Sequence, residues 1–131
     1  MQNQRKFTDL IFVYGALRKD SGNDVSVHLA NNANYLGHGF VLGELYDIEG
    51  YPGLKLDDKN GRKIEGDIFQ VDNIVDMLHE LDKFEELGPE YPIPNSYTRE
   101  KVEVNFKNSY LKCWVYLAQT VEGRKKIEVA V

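Results

Sequence analysis

Between Tyr35 and Ile48 the sequence alternates apolar and polar residues over the length of a long strand, yet Gly37, Gly39 and Gly43 interrupt it. A glycine has no side chain to pack across a sheet, so repeated glycines in a strand mark bulges, sharp bends or close backbone approach. This stretch therefore predicts a strongly curved sheet, of the kind that closes into a small barrel, rather than a flat open one. The alternation sets Leu36, Phe40 and Leu42 on one face.

The rest of the chain supplies the partners. Leu10–Val13 is an unbroken apolar run too short for a helix and reads as an interior strand. It passes directly into Tyr14-Gly15-Ala16-Leu17-Arg18, which reads either as an ordinary strand-to-turn exit or as a place where a glycine lets backbone N–H groups approach a ligand and form a concavity suited to an anion. The spacings of a phosphate-binding or dinucleotide-binding glycine loop are absent after this strand. A short helix is expected around Val25, Leu29 and Ala33, capped near Asn23 or Asp24. Gly50-Tyr51-Pro52-Gly53 carries the residues of a turn, and Asn60-Gly61 those of a hairpin. Lys63 to Val71, Tyr97 to Phe106 and Tyr110 to Ala118 alternate as strands, the last with Leu111, Cys113, Val115 and Leu117 facing one way. Many strands and two helices in so short a chain give an α+β class, with a curved mixed sheet or barrel.

At 131 residues and 42% hydrophobic content the chain has material for one core, so it is read as a single domain, 1–131, with a loose arm over 1–9. Its net charge of -5 excludes the basic stripe of a nucleic-acid surface. No apolar run reaches membrane-spanning length and no secretory leader is seen; with one cysteine, Cys113, a cytoplasmic protein is expected. His28, His38 and His79 lack metal-ligand spacing, so no metal is expected. Cys113, alternating with apolar residues, reads as a small core residue.

The clearest helix runs from Ile74 to about Glu86, capped by Asp72 or Asn73 and ended by Gly88-Pro89. Advancing about 100° per residue, Ile74, Met77, Leu78 and Leu81 form one stripe, and Glu85 falls on it. Asp76, Glu80, Lys83 and Glu86 fall on the opposite side. A carboxylate aimed at the core needs a partner, or its pKa rises. Glu85 therefore swings out at a frayed helix end, pairs with Arg18, Arg62 or Arg99, or serves as a general acid/base. A lone glutamate with no second carboxylate on its face does not suit a glycosidase pair.

Five segments in order resemble the gamma-glutamylcyclotransferase-like family, in its gamma-glutamylamine cyclotransferase-like branch. They are Phe12-Val13-Tyr14-Gly15-Ala16-Leu17-Arg18; Gly43-Glu44-Leu45-Tyr46-Asp47 with Gly50-Tyr51-Pro52-Gly53; Glu65-Gly66-Asp67-Ile68-Phe69; Leu81-Asp82-Lys83-Phe84-Glu85; and Tyr97-Thr98-Arg99 with Trp114-Val115-Tyr116. The resemblance implies a small α+β domain on a curved sheet or barrel. It implies an enzyme of transferase or lyase type that cyclises a gamma-glutamyl group, releasing 5-oxoproline and an amine or peptide remnant. The resemblance also implies that Tyr14, Gly15, Ala16 and Leu17 bind the substrate, that Glu85 moves the protons, and that Tyr97 lines the pocket. No cofactor is implied. Ala16 stands where the family usually has a hydroxyl residue, and Glu86 where a glycine commonly follows the catalytic glutamate. The partner is a small gamma-glutamyl molecule, not nucleic acid or membrane, and the expected state is a monomer or homodimer. The alternative is a non-catalytic module that binds a small gamma-glutamyl or carboxylate ligand.

Overall fold

The structure is a computed structural model that describes residues 9–14, 29, 31–48, 51–84, 97–119 and 121–127. Strands β1 (Leu10–Val13), β2 (Asn34–Ile48), β3 (Tyr51–Leu56) and β4 (Arg62–Gln70) precede helix α1 (Ile74–Phe84), and β5 (Tyr97–Phe106) and β6 (Ser109–Ala118) follow it. The strands run in the order β1-β4-β2-β3-β6, and an Ile11–Trp114 pairing between β1 and β6 closes the ring into a five-stranded barrel. The sixth strand, β5, is laddered along all of β6 and meets β2 at Phe40–Asn105. The predicted barrel is thus the observed fold. Among the described residues no helix is long and apolar enough to cross a membrane.

Two apolar layers hold it together. Inside the barrel Phe12, Tyr14, Val41, Leu45, Leu54, Ile64, Ile68, Val104, Cys113, Val115 and Leu117 form one core cluster. Outside it, α1 lays Met77, Leu78 and Leu81 on Ile11, Val13, Phe69, Val71, Tyr97 and Tyr116. Leu81 is fully buried, Ile74 is half-buried, and Asp76 and Glu80 are exposed, as the stripe required. Asn73 is the cap: its Oδ1 accepts from the Asp76 amide at 3.3 Å, and its Nδ2 donates to Asp76 Oδ2 at 2.7 Å. Cys113 is buried in the barrel, and loss of solvation pushes its thiol up to about 12. That is the chemistry of an inert packing group.

Two expectations change. Leu36, Phe40 and Leu42 do not share a face, because the β2–β4 register slips between Tyr35 and Gly37 at a bulge where Gly37 has φ +144°. An inserted residue shifts the alternation by one. Leu36 consequently packs inward, whereas beyond the bulge Gly39, Val41, Gly43 and Leu45 are the buried set and Phe40 lies half-buried beneath the Lys63 ammonium, 4.7 Å from its ring centroid. The Gly50–Gly53 stretch is not a free-standing turn either. Tyr51 already pairs with Ile48, Pro52 with Asp47 and Gly53 with Tyr46, so most of it is the start of β3. Proline is tolerated there as a residue at the beginning of a strand, where one missing donor costs least.

Asn60-Gly61 does turn the chain, held by Asp57: its Oδ1 accepts from the amides of Lys59 at 3.1 Å and Asn60 at 3.0 Å. Lys107 and Asn108, with φ of 50° and 64°, make the two-residue turn between β5 and β6 that twisted hairpins favour. Leu29, which begins the described part of the first predicted helix, is fully buried against the α1 layer; most of that helix lies outside the described residues.

Candidate active site

Of the proposed site residues the structure describes two, Tyr14 just after β1 and Tyr97 at the start of β5. Tyr14 follows directly on β1, with its ring inside the barrel. Its hydroxyl accepts from the Leu54 amide at 3.1 Å and donates to the Tyr116 carbonyl. It thereby sits between β3 and β6, a seam that among the described residues is paired at Leu54–Leu117 alone. A phenol at this position satisfies a donor and an acceptor that the two strands leave apart. Buried backbone groups need such partners.

Tyr97, the first residue of β5, reaches the same strand from the outer layer and donates through its hydroxyl to the Pro52 carbonyl at 2.9 Å. The two tyrosines that the sequence singled out are therefore brought together on β3, from opposite faces of the barrel wall. Gly15, Ala16, Leu17 and Glu85 lie outside the described residues.

Behind this end, α1 is pinned by a polar network that the alternation and helix arguments did not single out. The Tyr116 hydroxyl donates to Asp82 Oδ1 at 2.6 Å, and Arg99 Nη1 lies 2.5 Å from Asp82 Oδ2. Arg99 also stacks its guanidinium over the Trp114 ring, 5.2 Å from the centroid. Burial raises the Tyr116 pKa, and the hydrogen bond and charge of Asp82 raise it further, against a smaller opposing effect of Arg99. The hydroxyl consequently keeps its proton at neutral pH and can donate it to Asp82. The guanidinium of Arg62, for its part, pairs with Glu44 at 3.1 Å and donates to the Ile127 carbonyl. Two of the three arginines considered for Glu85 therefore already carry other partners, while Arg18 lies outside the described residues.

Asp67 is the other missed residue, a carboxylate only 1% exposed. It stands in register with Val13, one residue before Tyr14. His38 Nδ1 lies 3.1 Å from its Oδ1, and the Tyr35 hydroxyl donates to the same oxygen at 3.5 Å. A signal existed in the alternation: Glu65, Asp67 and Phe69 share one face of β4, and that face passes from exposed to buried along its length.

The sequence profile described as gamma-glutamyl cyclotransferase, AIG2-like, matches residues 11–130. Among solved structures, YkqA from Bacillus subtilis superposes with a TM-score of 0.65 at 24% identity, over 92% of this chain but 38% of its own. The chain thus spans well under half of that protein. An AIG2-like protein from Mus musculus gives a TM-score of 0.64 at 26% identity, over 85% of this chain and 77% of its own. Protein PH0828 from Pyrococcus horikoshii gives 0.60 at 23% identity, over 92% and 86%. Similarity below 25% identity speaks for the fold alone. No protein of curated function matches the sequence.

Proposed function

The chain belongs to the AIG2-like gamma-glutamyl cyclotransferase family, and from that premise we propose that it cyclises the gamma-glutamyl group of an amine or peptide and releases 5-oxoproline. The observation that carries this reading is the buried stripe of α1. Met77, Leu78 and Leu81 are all buried, so over its described length the helix buries the stripe on which the sequence places Glu85.

In the proposed reaction the substrate brings its own nucleophile. Amides of the Tyr14–Leu17 loop hold the substrate's α-carboxylate, which places the α-amine against the γ-carbonyl. Glu85 removes a proton from the α-ammonium, the amine nitrogen bonds to the γ-carbon, and the C–N bond to the leaving amine breaks as Glu85 returns that proton to the departing nitrogen, while the second proton of the new ring nitrogen is lost to solvent or to the released amine. The ring closes to 5-oxoproline with no change in oxidation state. Neither a protein nucleophile nor a metal is needed for this balance.

A panel of gamma-glutamyl amines and gamma-glutamyl peptides, assayed for 5-oxoproline, tests the reading. Release from at least one member is expected. Tight binding of a member with no release from any would identify a binding module instead. The loop is tested separately by Gly15→Val, which puts a branched side chain where the backbone must approach a carboxylate. The expected result is a KM raised about tenfold or more with the thermal midpoint nearly kept; wild-type KM would remove the loop from the site.

A further inference from the structure

Tyr116 contacts Tyr14 and Asp82 with different atoms. Its main-chain carbonyl accepts from the Tyr14 hydroxyl, at the entrance of the 14–17 loop. Its side-chain hydroxyl donates to Asp82 of α1, three positions before Glu85 in the sequence. The hydroxyl also lies 3.4 Å from the Leu78 carbonyl, but a phenol has one proton, and the 2.6 Å contact to Asp82 takes it. Opposite it in the β5–β6 ladder stands Arg99, which holds the other oxygen of Asp82. Residue 116 is 3% exposed and its strand neighbour Val115 is fully buried, so the tyrosine has little freedom to move.

We propose that Tyr116 is a positioning residue for the cyclisation, the bracket that fixes the distance between the end of β1, where the proposed carboxylate-binding loop begins, and α1, which leads to Glu85. The proposal rests on the function given above. It adds a residue that does not touch the substrate yet sets how far the proton-moving carboxylate stands from the bound α-amine. Proton transfer and ring closure both require near-contact geometry, and a misplacement of about 1 Å can cost on the order of a hundredfold in rate. The two links are separable, because one is made by the side chain and the other by the backbone.

Tyr116→Phe removes the hydroxyl, leaves the carbonyl for Tyr14, and so loosens the helix side alone. Tyr14→Phe removes the phenol from the seam and loosens the loop side alone. With a gamma-glutamyl substrate that the wild-type protein turns over, Tyr116→Phe is expected to lower kcat by about tenfold to a hundredfold with KM within about threefold of wild type. Tyr14→Phe is expected to raise KM more than it lowers kcat. Thermal unfolding of both variants shows how much folded protein each assay contains. If Tyr116→Phe keeps wild-type kcat per folded molecule and loses only thermal midpoint, the tyrosine is structural and the proposal is overturned. If both variants change KM and kcat alike, the two links are not separable and the bracket is equally overturned. If the wild-type protein turns over no gamma-glutamyl compound, the function itself fails and the positioning role falls with it, a result distinct from either of the others.

Discussion

Glu85→Gln is expected to lower turnover by about a hundredfold to ten-thousandfold, the usual contribution of a general acid/base, with ligand affinity close to wild type. Glutamine keeps the volume of the side chain and most of its hydrogen bonds, but at neutral pH it cannot accept the proton of the α-ammonium. Affinity is expected to hold because the proposed mechanism binds the substrate's carboxylate with the loop that begins at Tyr14, not with the helix. Stability is expected to hold or rise, since the exchange replaces a charge that the sequence places on the apolar stripe with a neutral amide of the same shape. A structural ion pair predicts the reverse. Removing its acid would strand a buried guanidinium and lower the thermal midpoint while turnover stayed whole. Arg62 and Arg99 already hold Glu44 and Asp82, which favours the catalytic outcome. Measuring turnover, affinity and midpoint on this single variant separates the two. Full turnover with a lowered midpoint would overturn the assignment.

The second large effect is expected in the barrel wall. Gly66→Ala should destabilise the fold by about 1–3 kcal/mol, the range for overpacked interiors. Gly66 and Gly39 stand in register across β4 and β2. A Cβ at residue 66 would run into the Val13 carbonyl oxygen of β1 and come within 2.7 Å of Phe12 Cζ. A side chain can swing away from such a contact, whereas a strand carbonyl moves only with its strand. For a domain of this size the thermal midpoint should fall by roughly 4–12 °C. Because β1 ends at Val13, directly before Tyr14, the same displacement should also disturb the proposed loop, so KM is expected to rise in whatever fraction remains folded. An unchanged midpoint would show that β1 and β4 have room between them and that the glycine is not required for closure.

What the sequence determined by itself is what local periodicity encodes. The strand over Leu10–Val13, the hairpin from Tyr97 to Ala118, the inward set of Leu111, Cys113, Val115 and Leu117, and the stripe of Ile74, Met77, Leu78 and Leu81 could all be read directly, because a strand repeats every two residues and a helix every 3.6 or so. The curvature was legible too, since glycines in a long alternating segment have few other uses. Tertiary structure alone decided the rest. Whether Phe40 or Val41 faces inward depends on one extra residue at the Tyr35–Gly37 bulge, and a bulge exists only relative to a partner strand. Pro52 belongs to a strand because β2 is there to pair with it, and Asp67 can be buried because His38 and Tyr35 come to its oxygen from that same neighbour. The Tyr14 hydroxyl, read from sequence as part of a substrate loop, ties β3 to β6 across 40 positions in one direction and 102 in the other. No window of the sequence contains that seam, and which groups a fold leaves apart to be bridged is fixed only when its strands have closed.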